Sequence, residues 1–250
     1  MNKKIFTALT LMLVSSTAYA EVLPISAPSV SYDFFSGIST ENRNMNLDYS
    51  TKTTINATQD TIETEKNAQS SSMSPVFFAG VEQKRTQDNG DVFSLQAKTE
   101  LGKSTNTITE TLKQDITFNY MGFQTSQEIT TDVTIQTDIY LTQSFQFGLT
   151  KKNWNGWKGY GSIGGSFGRY NVNMSDSLGM DAQSHGDMFI GEIGIGIEKD
   201  FNNELSMFAE YNYGQVMSEF STQFGNDDYF TEAQGKISYD RIQFGLKYNF

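Results

Sequence analysis

The final stretch of the chain, Ile242-Gln-Phe244-Gly-Leu246-Lys-Tyr248-Asn-Phe250, carries a large apolar residue at every even position and a polar residue or Gly at every odd one. Such a period of two predicts a strand with one greasy face and one wet face. At the end of a soluble chain this strand is an exposed, sticky edge. In a membrane barrel the edge is paired and lipid takes up the apolar face. The pattern recurs upstream. Residues 204–217 set Leu205, Met207, Ala209, Tyr211 and Tyr213 against Ser206, Glu210, Asn212 and Gly214, and residues 187–198 set Phe189, Ile193, Ile195 and Ile197 against Glu192, Gly194, Gly196 and Glu198.

Counting back from Phe250, the alternation predicts strands at 236–250, 204–217, 187–198, 157–172, 129–149, 106–122, 92–101 and 76–85. Weaker patterns follow at Val30–Ile38 and Met45–Ala57. The expectation is therefore an all-β, closed antiparallel transmembrane barrel of ten strands. The alternative has eight strands, with residues 21–75 as a partly disordered extension. The long polar tract 59–75 leaves that choice open.

In residues 129–149 the odd positions Ile129, Val133, Ile135, Ile139, Leu141, Phe145, Phe147 and Leu149 are assigned to one outward face. About nine to eleven tilted residues cross a bilayer. The hairpin 106–149 is longer than that and is expected to project, with its membrane section toward Lys151. Upstream of Asp240 the apolar positions become odd (Ile237, Tyr239), which predicts a bulge near Asp240 and Arg241. The short links 102–105, 150–156 and 199–203 fall on one side, read as periplasmic, and the long ones 173–186 and 218–235 on the other. Trp154 and Trp157, beside Lys151 and Lys152, are assigned to an aromatic girdle at the membrane interface.

The N-terminus adds a location. Met1-Asn-Lys3-Lys4, the apolar run Ile5–Val14 and Ala18-Tyr-Ala20 form a cleavable export signal over 1–20, leaving 21–250 as a single domain. Without it the basic residues fall from 18 to 16 against 29 acidic ones, which excludes nucleic acid as a natural partner. The chain has no Cys, so neither disulfides nor thiolate metal sites are available. No Pro occurs after Pro75, as an uninterrupted ladder of strands requires.

Signal, alternation, turn order and the closing strand Phe244, Leu246, Tyr248, Phe250 together resemble the small Gram-negative outer-membrane barrels of the OmpA, OmpX, Ail and opacity-protein kind. That resemblance implies insertion by the barrel-assembly machinery, for which the terminal strand is the assembly signal. It also implies contact with outer-membrane lipid and lipopolysaccharide, and a class of surface binders, anchors, narrow channels and a few enzymes.

Candidate chemistry is sparse. Gly159-Tyr-Gly161-Ser-Ile-Gly164 matches a dinucleotide fingerprint but lacks the helix that the fingerprint needs. His185, the only histidine, and the pair Asp227-Asp228 are read as loop residues, so no catalytic residue, metal site or cofactor is assigned. With apolar residues turned to lipid, the inward face receives Lys113, Asp115, Asp132, Asp138, Lys158, Glu192, Glu198, Glu210, Arg241 and Lys247. Mixed charges in so narrow an interior persist by pairing, which fills it. The expected role is a surface-exposed binding or structural one, with hairpin 106–149 and the loop aromatics Phe220, Phe224, Tyr229 and Phe230 meeting a host or cell-surface protein. The alternative is a narrow, porin-like channel. A surface hydrolase of the omptin kind stands third.

Overall fold

The computed structural model describes residues 30–55, 60–120, 123–177, 179, 181–217, 220–225 and 229–250. The export signal and Asp227-Asp228 lie outside them. The chain forms β1 (Val30–Ile55), β2 (Asp60–Thr86), β3 (Val92–Tyr120), β4 (Phe123–Thr150), β5 (Trp157–Asp176), β6 (Asp181–Asp200), β7 (Leu205–Val216), β8 (Phe220–Gly225) and β9 (Tyr229–Asn249). All neighbours are antiparallel. β9 lies beside β7 and also pairs with β1, from Phe35↔Asn249 to Ile55↔Tyr229, so hydrogen bonding runs in a ring of eight strands with β8 as a short branch on β9.

Among the described residues the ring therefore has eight strands and not the expected ten. As far as residues 55 and 120, the patterns at 30–38 and 45–57 belong to one strand, β1, and those at 92–101 and 106–122 to another, β3. Nor are residues 21–75 an extension to the ring, because 30–55 and 60–75 lie within β1 and β2. Both errors have one cause. Alternation runs on unbroken through these strands, but its chemistry inverts partway along. In β1 the even residues Val30, Tyr32, Phe34 and Ile38 are exposed, while farther along it is odd residues, Met45, Leu47 and Tyr49, that are apolar, and these are buried. A switch of apolar side looks like a chain break when apolar residues are assumed to face outward throughout.

The same inversion removes the bulge expected near Asp240. Arg43↔Arg241, Asn44↔Asp240 and Met45↔Tyr239 follow in continuous register, and odd residues of β9 point inward on both sides of that point. Register breaks occur elsewhere, between Leu101 and Ser104 on β3 and between Ile139 and Leu141 on β4. Tyr140 is the extra residue of a β-bulge. It reverses the parity of β4, so that Ile129, Val133, Ile135 and Ile139 point inward whereas Phe145 and Phe147 point outward.

Val30 and Phe250 lie at one end with the turns at 87–91, 151–156 and 201–204, called the lower end below. Links 150–156 and 199–203 are there as expected. Link 102–105 instead lies inside β3, and the expected loops 173–186 and 218–235 are largely strand.

The upper half divides. β2 pairs with β3 only between Thr86↔Val92 and Val76↔Gly102, and β6 pairs with β7 only as far as Ile190↔Val216. Pro75, which has no N–H to donate, stands where the β2–β3 ladder stops. Above that level β8-β9-β1-β2 and β3-β4-β5-β6 form two sheets. One apolar core fills the space between them, with Met45, Leu47, Tyr49, Ile237 and Tyr239 on one side and Ile108, Leu112, Val133, Ile135, Val172, Met174 and Met188 on the other. The molecule is a strand ring that continues upward as a two-sheet sandwich.

Candidate functional site: the enclosed charge column and the raised sandwich

Outward residues of the lower half form an apolar belt. Phe34, Ile38, Phe77, Leu95, Leu101, Phe147, Ile163, Ile193, Ile195, Tyr211, Phe244 and Leu246 are all exposed. A contiguous surface of this size is stable against hydrocarbon and not against water. Trp154 and Trp157 mark its lower rim, with the Lys151 and Lys199 ammonium groups 5.7 and 5.8 Å from their respective rings. Of the closing strand, Phe244, Leu246, Tyr248 and Phe250 all face outward, and the strand is bonded on both edges, to β7 and β1.

Inside the belt the even residues of β2, β3, β4, β5, β6 and β7 and the odd ones of β1 and β9 converge in tiers. In the lowest, Lys158 lies 2.9 Å from Glu82 and 2.7 Å from Glu198, and Lys247 lies 3.1 Å from Glu82 and also meets Glu198. Phe35, Phe78 and Phe208 form an aromatic layer above, with Lys247 5.3 Å from the Phe35 ring and Lys98 5.1 Å from that of Phe208. Next, Lys98 sits 2.8 Å from both Glu100 and Glu210, and Glu210 also accepts hydrogen bonds from Gln146, Tyr160, Ser162 and Asn212. In the top tier Arg241 pairs with Glu100, Glu192 (3.1 Å) and Glu41 (3.6 Å), and Arg43 with Glu192 (3.0 Å) and Glu41 (3.3 Å). Ions withdrawn from water are tolerated when their partners and hydrogen bonds are this numerous.

Among the described residues the column holds the cations Arg43, Lys98, Lys158, Arg241 and Lys247 and the carboxylates Glu41, Glu82, Glu100, Glu192, Glu198 and Glu210, a net charge of −1. Of the inward charges expected from sequence, Lys158, Glu192, Glu198, Glu210, Arg241 and Lys247 lie here. Lys113, Asp115, Asp132 and Asp138 do not. They belong to the sandwich, where the apolar side is inward and the polar side faces water. Lys113 meets Glu128 at 3.3 Å on the exposed surface, Asp115 is exposed, and Asp132 accepts from Thr111 at 2.6 Å. Asp138 sits at the foot of the sandwich, above the belt and beside the register break at Tyr140. Partial burial pushes its carboxyl up, but hydrogen bonds from Thr105, Tyr140, Lys103 and Gln136 outweigh this and hold it below the usual carboxylate range.

The sequence reading missed Glu41, Arg43, Glu82, Lys98 and Glu100. Lys98 and Glu100 were within reach, since they alternate with outward Leu95 and Leu101 on the face opposite. Glu41 and Arg43 were not, because the reading broke the strand between 38 and 45.

Above the top tier the interior becomes apolar. Tyr239 donates to Thr137 at 2.8 Å, and its ring lies 5.8 Å from Arg43. Burial, with Glu110 facing it, pushes the Tyr49 hydroxyl up to about 12. The sandwich's outer face is a sheet of small polar side chains, such as Thr109 with Thr134 (3.2 Å) and Thr105 with Asp138 (2.6 Å). His185 stands on this surface within β6, opposite Asn171 on β5 and exposed, and Asp187 is engaged by Arg169 at 3.0 Å. The run Gly159–Gly164 lies within β5, a strand and not the strand-to-helix turn that a dinucleotide site needs. Of the aromatics expected to add contact surface near the top, only Phe230 has a described side chain, and it is exposed.

No protein-family description matches this chain, and no curated protein does. Solved structures similar to it include the outer membrane protease OmpT from Escherichia coli, at 10% identity over 92% of this chain and 99% of that one, with a TM-score of 0.40. The outer membrane protein OprG from Pseudomonas aeruginosa is similar at 9% identity over 87% and 95%, with a TM-score of 0.41. Ail, the attachment invasion locus protein of Yersinia pestis, in complex with the heparin analogue sucrose octasulfate, is similar at 14% identity over 86% and 99%, with a TM-score of 0.30. These are small Gram-negative outer-membrane β-barrel proteins, the class that the sequence resembles.

Proposed function

We propose that this protein anchors a binding surface in the outer membrane. The belt holds the lower half in lipid, the paired column and the apolar core fill the axis, and the sandwich is the working part. The observation that carries this reading is the length of the first four strands, 26, 27, 29 and 28 residues, against about nine to eleven needed to cross the bilayer. The excess is packed into a core of its own, so the chain invests in a rigid structure beyond the membrane. Such a structure presents strand edges and polar faces to another chain, and edges give affinity through main-chain hydrogen bonds. Export across the inner membrane, insertion by the barrel-assembly machinery and contact with lipopolysaccharide follow from the location. No catalytic role is assigned.

The test is to trim the tip of the β3–β4 hairpin. The cut belongs at Asp115↔Glu128, because Ile129, Val133 and Ile135 are core residues whose loss would collapse the sandwich. Bacteria carrying the trimmed protein should adhere several-fold less to host cells or matrix while heat-modifiable gel mobility is kept. Undiminished adhesion removes the reading.

A second reading, a narrow channel, is favoured by the interior of the belt, where the inward positions are dominated by charged and polar residues. Stable unitary conductance steps from purified protein in planar bilayers would support it, and their absence would favour the filled interior.

A further inference from the structure

We propose that solvent and small cations reach the two upper tiers of the charge column through the side of the molecule, at the fork where β2 and β3 part, and not along its axis. The β2–β3 ladder ends at Val76↔Gly102. Beyond it side chains link these strands, Ser72 with Ser104 at 2.9 Å, Lys66 with the Thr111 carbonyl at 3.2 Å and Lys66 with Glu110 at 3.8 Å. A small cavity of about 10 Å³, room for roughly one water, lies at this fork. Its lining crosses the wall: Glu41, Arg43 and Glu100 belong to the top tier of the column, whereas Tyr140 is 41% exposed on the outer surface. Arg43, which lines this cavity, has a buried Nε with no hydrogen-bond partner in the protein. A donor in that position is satisfied by water.

Three further features give the fork its direction. The axial route upward is closed by the apolar core, including Met45, Ile135 and Tyr239 at 1% exposure or less. The route from the lower end to the two upper tiers must pass the aromatic layer of Phe35, Phe78 and Phe208. The fork also lies where the belt meets water, marked on the outside by Lys103, whose ammonium is 6.0 Å from the Tyr140 ring. An opening there faces water and not hydrocarbon. With one more carboxylate than cation, the column attracts cations over anions. This inference concerns the wall of the ring and stands whether or not the sandwich is adhesive.

The chain has no cysteine, so single thiols report access without background. Purified protein carrying Thr142→Cys at the cavity, Gln146→Cys one tier lower, or Ile135→Cys in the apolar core is treated with 2-aminoethyl methanethiosulfonate or its anionic sulfonatoethyl counterpart. Ser144→Cys, a near-isosteric change, replaces any column variant that loses heat-modifiable mobility. Entry at the fork predicts that Thr142→Cys reacts at least ten-fold faster than Ile135→Cys and several-fold faster than Gln146→Cys. It also predicts that the cationic reagent outpaces the anionic one and that adding Tyr140→Ala raises the Thr142→Cys rate about three-fold or more. Faster labelling of Gln146→Cys than of Thr142→Cys would mean entry from the lower end. That result, equal rates at positions 142 and 135, or no effect of Tyr140→Ala would overturn the inference.

Discussion

Glu82 shows how a single buried carboxylate is placed under opposing forces. It is fully buried, which disfavours its charge, yet Lys158 and Lys247 lie 2.9 and 3.1 Å away and Lys84 lies 3.9 Å away. Removing Glu82 leaves two buried ammonium groups, Lys158 and Lys247, sharing the single carboxylate of Glu198. Glu82→Ala should cost about 3–5 kcal/mol, read as a lower urea midpoint for loss of the heat-modifiable form. The control is Lys113→Ala, which breaks an ion pair exposed to water. It should change stability by less than about 0.5 kcal/mol. Equal effects of the two would mean that the column does not hold the ring together. The residue types alone do not separate these lysines. Their depth in the sheet does.

At the scale of the strand, one alternation serves two solvents. The same row of odd positions in β9 is charged at Arg241 and Lys247, beside the apolar belt, and apolar at Ile237 and Tyr239, within the sandwich core. The bulge at Tyr140 makes a different accommodation in β4, where it shifts the apolar row from the inner face to the outer one. If the sandwich core is a unit distinct from the ring, then Ile135→Ala should cost about 2–5 kcal/mol locally. Hydrogen exchange should rise across residues 104–113 and 129–138 while amides of 93–100 and 142–149 stay protected. Uniform loss of protection in all four segments would show one cooperative structure instead. Most strands were legible as strands, because period two survives whichever face is greasy. Their number was not, because joining 30–38 to 45–57 requires knowing that residues 39–44 remain extended with Glu41 and Arg43 turned inward.

For the whole molecule, the belt and the sandwich surface make opposite demands on an outward side chain. Ile193 lies between Ile163 and Tyr213 in the middle of the belt, and Ile193→Lys should cost about 2–4 kcal/mol when the protein is folded in lipid vesicles. Thr109→Lys, on the exposed outer face of the sandwich, should be close to neutral in the same measurement. Similar penalties at both positions would mean that lipid extends over the sandwich, or that the belt is not in lipid at all.

Alternation and the run without proline are local properties, and the sequence by itself determined from them a β-protein patterned like the outer-membrane strand rings, with its closing strand and the charges Lys158, Glu192, Glu210, Arg241 and Lys247 on the inner side. The tertiary structure alone decided the rest: eight strands in place of ten, the separation of Lys113, Asp115 and Asp138 from the column, and the fork at Pro75 and Gly102. The physical reason is that alternation specifies two faces but not which solvent each one meets. That depends on the height of a residue relative to the membrane and on the strand opposite, and neither is written in the local pattern.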